Sequence, residues 1–148
     1  MMNIPIKNLM TTDVITIRPN DLMMVAKEIF ETNTFHHIPV IDEEQQLVGI
    51  LSRHDYNKML TTFSVFKNSK ADVANRKFMM SMLVKDVMTK QVAKLHPEDP
   101  ISVALGIFKE NLFHALPIVD DENRVTGILT TFDLLTYAYD EKRLLNIR

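Results

Sequence analysis

Residues 7–58 and 85–136 of this 148-residue chain align without a gap at a constant offset of 78 (127 − 49 for the two copies of "GIL") and match at 20 of 52 positions. The matches include Lys7/Lys85, Met10/Met88, Thr11/Thr89, Pro19/Pro97, Asp21/Asp99, Ala26/Ala104, Phe30/Phe108, Phe35/Phe113, His36/His114, Pro39/Pro117, Gly49/Gly127 and Asp55/Asp133. A solenoid repeats every 20 to 50 residues or so, many times over. Two copies at a longer period instead predict a pair of similar halves packed around a pseudo-two-fold axis.

Within a copy, "DVITI" is a short β-branched run and "RPND" a turn. "DLMMVAKEIFETN" then sets Leu22, Val25, Ala26, Ile29 and Phe30 on one face at helical spacing. Asp21 and Asp99 are the expected N-caps, the latter followed by Pro100. "HHIPVID" and "LVGILS", like "HALPIVD" and "VTGILT", are apolar runs around a polar turn and predict a hairpin. A last helix is expected from near Ser52 and Thr130. Each half thus reads β-α-β-β-α, an α/β (α+β) class, with the first strand–helix–strand a parallel crossover. Residues 1–63 are the first repeat, 64–77 a linker and 78–148 the second repeat, with helix or turn resuming before Met88.

Composition removes several functions. Net charge is −2 and no basic stripe exists, so nucleic acid is not an expected partner. No apolar run nears the ~20 residues of a membrane span, and "MMNIPIKNLM" lacks a signal peptide's pattern, which makes the cytoplasm the expected home. Without cysteine there is no disulfide, thiolate metal site or cysteine nucleophile. The three glycines, Gly49, Gly106 and Gly127, build no glycine-rich phosphate loop. Neighbouring His36 and His37 on a strand point to opposite faces, so no metal site is expected. Ser52, His54 and Asp55 are triad residue types, but their spacing turns Ser52 and His54 apart. Neither an enzyme nor a catalytic cofactor is expected.

The repeated corner, "GILSRHD" and "GILTTFD", places a hydroxyl three residues before an acid. That is a capping box. A helix N-terminus also carries unsatisfied N–H groups and partial positive charge, so the same corner can receive a phosphate. The residues leave both readings open.

Taken together, "LMTTDVITIRPND" and "VMTKQVAKLHPED", "HHIPVID" and "HALPIVD", and the two corners resemble the tandem CBS domain, or Bateman module, over nearly the whole chain. The resemblance implies two CBS repeats forming one regulatory module that senses an adenine nucleotide (AMP, ADP or ATP) in a cleft between repeats. In the first cleft it puts Ser52 on phosphate and Asp55 on the ribose hydroxyls, with His36, His37 and Arg53 as cations. Thr89, Ala93, Phe113, His114 and Ala115 complete that cleft. The second, weaker cleft has Thr130, Asp133, Thr11, Ile15 and Phe35. The resemblance also implies a homodimer acting on an unidentified protein target. Apolar Leu134, Leu135, Ala138, Leu144 and Leu145 on the terminal helix point the same way. The alternatives are a ligand-free dimerisation scaffold, or a sensor of S-adenosylmethionine or a cyclic dinucleotide.

Overall fold

The computed structural model describes residues 3–63, 73, 76–78 and 80–140, so most of the expected linker, and Leu144 and Leu145, lie outside the described residues. The chain divides into two compact units, Ile15–Val92 and Met1–Val14 with Ala93–Arg148. In the first, helix α1 (Met23–Thr32) leads into strands β1 (His37–Ile41) and β2 (Leu47–Ser52), then helix α2 (Arg53–Phe63) and the single-turn helix α3 (Val84–Val87). The second holds a 3-10 turn (Ile6–Asn8), helix α4 (Ile101–Lys109), strands β3 (Ala115–Val119) and β4 (Val125–Thr130), and helix α5 (Thr131–Ala138). The expected hairpins form. They are antiparallel, and His37 pairs with Ser52 as Ala115 pairs with Thr130.

Each unit has its own core. One is built on Ile17, Met23, Ala26, Phe30, Ile38, Val40, Leu51, Tyr56, Met59 and Val84. The other is built on Ile6, Leu95, Ala104, Phe108, Leu116, Ile118 and Leu129. Helix α1 buries Met23, Ala26 and Phe30, an i, i+3, i+7 stripe. The expected stripe is therefore rotated, with Leu22 and Val25 left 43% and 41% exposed.

Two expectations are corrected. Asp21 and Asp99 cap no helix. Their Oδ2 atoms accept backbone N–H bonds from Arg18 at 2.9 Å and His96 at 2.8 Å, holding the preceding turns, and Leu22 and Pro100 are the N-caps. The first strand of each half shrinks to a single parallel bridge, Ile17 to Val40 and Leu95 to Ile118. Ile17 donates to Pro39 O at 3.1 Å and accepts from Ile41 N at 2.9 Å. Extending that parallel ladder by two residues one way needs an N–H on residue 39, and the other way an N–H on residue 19. Both are proline, as are 117 and 97.

The units are not the repeats, because each repeat lends its leading segment to the other's unit. Met23 N donates to Met82 O (2.7 Å), Val84 N to Asp21 O (2.9 Å) and Lys85 N to Pro19 O (2.9 Å). The counterparts at offset 78 are Ile101 N to Ile4 O, Ile6 N to Asp99 O and Lys7 N to Pro97 O, all 2.9 Å. Beyond them, Thr89 bridges Ile50 and Thr11 bridges Ile128 at the outer hairpin edges. Ile6 and Val84, fully buried, are the apolar plugs of these exchanged segments. Both glycines of the repeated corners lie under the following contact. A Cβ on Gly49 would meet Met88 Sδ at 2.6 Å and Thr89 O at 3.0 Å, and one on Gly127 would meet Met10 Sδ at 2.7 Å and Thr11 O at 3.0 Å.

Candidate functional site: two corners of unequal occupancy

Ser52 ends β2 and Arg53 begins α2, so the chain turns from strand to helix where four backbone N–H groups need partners. Ser52 Oγ accepts from Asp55 N at 2.9 Å, and Asp55 Oδ2 accepts from Ser52 N at 3.3 Å. This is the capping box expected from the sequence. Asp55 Oδ1 and the Ser52 hydroxyl proton have no partner among the described residues. His36 and His37 stand beside the corner. The His36 carbonyl accepts from Arg53 N at 2.7 Å, and its side chain is exposed. Thr89 is exposed on the adjoining bridge to Ile50. Behind the corner Tyr56 is 7% exposed with its ring centroid 5.8 Å from that of Phe30, and burial pushes its phenol up from the ordinary value.

Arg53 already has partners in the first unit. Its Nη2 donates to Phe30 O at 2.8 Å and to Asn33 O and Phe35 O at 3.1 Å. Its guanidinium also lies 5.0 Å from the Phe30 ring centroid. It therefore closes the C-terminal end of α1, where a cation opposes the helix dipole and satisfies orphan carbonyls. The sequence signal for this role is weak, because an arginine one residue into a helix does not show which carbonyls it will reach.

The second corner has the same frame with different bonding. Asp133 Oδ2 accepts from Thr130 N at 2.7 Å and from Thr130 Oγ1 at 2.9 Å, while Asp133 N donates to Thr130 Oγ1 at 3.3 Å. Asp133 Oδ1 accepts from Thr11 Oγ1 at 3.2 Å. Thr11 is thus brought to the Thr130/Asp133 corner within one unit, as Thr89 is to the β2 edge in the other. Of the remaining named residues, Ala93, Phe113, His114 and Ala115 belong to the unit of the second corner, and Ile15 and Phe35 to that of the first. Ala93 and Phe113 pack on the core and Ala115 is buried, whereas His114 is exposed.

A strand–helix corner with a capping box, carried twice on β-α-β-β-α frames, defines a class of paired small-domain proteins. The sequence matches the family model described as "CBS domain" over residues 6–61 and 84–140, and the chain belongs to that family. Inosine-5'-monophosphate dehydrogenase of Methanocaldococcus jannaschii is 37% identical over 123 residues, covering 83% of this chain and 21% of that protein. The chain spans about a fifth of that relative's length. The CBS domain pair of protein MJ0100, solved in complex with 5′-methylthioadenosine and S-adenosyl-L-methionine, is 27% identical with a TM-score of 0.73, over 93% of this chain and 98% of that one. CBSX2 in complex with AMP shares the fold at 23% identity and a TM-score of 0.76, over 94% and 98% of the two chains. Among the described residues no helix is long and apolar enough to cross a membrane.

Proposed function

We propose that this chain is a cytoplasmic regulatory CBS pair, its repeats 1–63 and 78–148 joined through 64–77, that senses an adenine nucleotide at the Ser52–Asp55 corner and catalyses nothing itself. One observation carries the reading. Among the described residues, the corner keeps a carboxylate oxygen and a hydroxyl proton uncommitted beside a helix N-terminus. A ribose diol donates to Asp55, and a phosphate accepts from Ser52 and gains from the helix N-terminus. His36, His37 and Thr89 flank these two groups. AMP in one solved relative, and S-adenosyl-L-methionine in another, support an adenosyl ligand.

Calorimetric titration of AMP, ADP, ATP, dATP and S-adenosylmethionine tests this. A hydrogen bond to a charged group contributes about 1.5–3 kcal/mol, so Asp55→Ala should weaken nucleotide binding by roughly tenfold to a hundredfold. Loss of the 2′-hydroxyl should do likewise, and Asp133→Ala should matter less. Equal affinity for dATP and ATP would sink the assignment, as would a loss of binding in Asp133→Ala but not in Asp55→Ala. S-adenosylmethionine has no phosphate for Ser52, so its tighter binding would favour the second adenosyl reading. A ligand-free scaffold would bind none of the five.

The same proposal includes a homodimer. Phe132, Leu135 and Tyr139 lie along α5 and its end at 72%, 56% and 69% exposure, while the equivalent α2 positions are His54, Asn57 and Thr61. Light scattering should give twice the 17.1 kDa chain mass at micromolar concentration, and a monomer throughout that range would refute it.

A further inference from the structure

The two corners are copies of one frame, so each serves as the control for the other, and they differ in how much of their hydrogen-bonding capacity is already spent. A carboxylate offers roughly four acceptor positions. Among the described residues Asp55 uses one, for Ser52 N. Asp133 uses three, for Thr130 N, Thr130 Oγ1 and Thr11 Oγ1. The hydroxyls differ in the same sense: among the described residues the Ser52 proton has no acceptor, and the Thr130 proton is given to Asp133 Oδ2. A vicinal diol brings two donors. Asp55 accommodates both without losing a bond, whereas Asp133 has room for about one and must release a partner to take the second.

We infer that Thr11 is a specificity-determining latch: its hydroxyl occupies Asp133 Oδ1 and keeps the second corner closed to a ribose, so the chain takes one nucleotide rather than two. Thr11 is the partner that can leave. Its backbone is held independently of its side chain, by reciprocal 2.9 Å bonds with Ile128, and its side chain is exposed. Thr89 occupies the equivalent place with the same pair of backbone bonds to Ile50, at 2.9 and 3.0 Å, and makes no bond to Asp55 among the described residues. The latch is thus a property of one side chain and not of the shared backbone.

This inference rests on the nucleotide-sensing reading, and its test separates the two. AMP is titrated into the wild type, Thr11→Ser, Thr11→Val and Thr11→Val/Asp133→Asn. Valine keeps the shape and the backbone bridge while removing the donor. The wild type and Thr11→Ser should bind one AMP per chain. Thr11→Val should reveal a second site tightened by roughly tenfold, the scale of one hydrogen bond to a charged group. Adding Asp133→Asn should abolish that second site, which a general loosening of the fold would not do. One AMP per chain in Thr11→Val as in the wild type, or two equivalent sites in the wild type, overturns the latch and leaves the sensing reading standing. No binding of AMP, ADP or ATP to any of the four overturns both.

Discussion

Gly49 and Gly127 sit where the exchanged segment crosses the hairpin, and the next atoms belong to Met88 and Thr89, or Met10 and Thr11. A methyl group there must push aside a methionine sulfur and press a backbone carbonyl that is itself hydrogen-bonded to the hairpin. Overpacking of this kind costs about 1–3 kcal/mol. Gly106 is the opposite case. It lies inside α4, and a methyl group on its Cα would meet no atom within 4 Å, so alanine there removes backbone entropy at no steric expense and should stabilise by about 0.5–1 kcal/mol. Thermal unfolding should therefore rank Gly106→Ala above the wild type, and Gly49→Ala and Gly127→Ala below it. A melting temperature for Gly49→Ala at or above that of the wild type would contradict the packing argument. The pairing of these glycines with methionines is half legible in the sequence: Met10, Met88, Gly49 and Gly127 all stand out in the repeat, but identical residues cannot say which methionine covers which glycine.

Among the elements, hairpins and corner helices are legible because their signals are local: apolar runs about a polar turn, then a hydroxyl three residues before an acid. The first strand of each half falls short of its expected length for a reason that also lies in the sequence. Pro39 and Pro19 remove the donors that would lengthen the ladder about Ile17, and Pro117 and Pro97 do so about Leu95. "DVITI" carries strand propensity, yet propensity cannot supply an N–H that its neighbour lacks. The expected Asp21 and Asp99 caps fail similarly, since an aspartate before a helix can bond backward into its turn as readily as forward. At the corners, residue types show the frame, whereas the spent and unspent oxygens of Asp133 and Asp55 depend on sub-ångström placement. The exchanged segments make their own forecast. Ile6 is fully buried in the core of Leu116 and Leu129, and Val84 in that of Ile38 and Leu51. Truncating such a side chain costs about 2–5 kcal/mol. Hydrogen exchange on Ile6→Ala should show lost protection first in β3 and β4, although residue 6 belongs to the first repeat, and Val84→Ala should loosen β1 and β2. Protection lost first in the hairpin of the mutated repeat would refute the exchange.

At the scale of the whole molecule, the chain passes from one compact unit to the other twice, at Val14–Ile15 and Val92–Ala93, positions that are themselves 78 residues apart. Neither unit can be completed from one repeat. A polypeptide holding residues 78–148 alone would have its hairpin and helices but no foreign segment to plug its core, unless a second copy supplied it reciprocally. Its folding is then a bimolecular event. Such a fragment should be a dimer at high concentration and lose structure on dilution, and a folded monomer at every concentration would refute this. Tethering the two copies replaces that dilution-sensitive encounter with a local concentration in the millimolar range for a short flexible tether. The gain conferred by fusing the repeats would then be largest in a sparsely expressed protein, whose halves would seldom meet unaided.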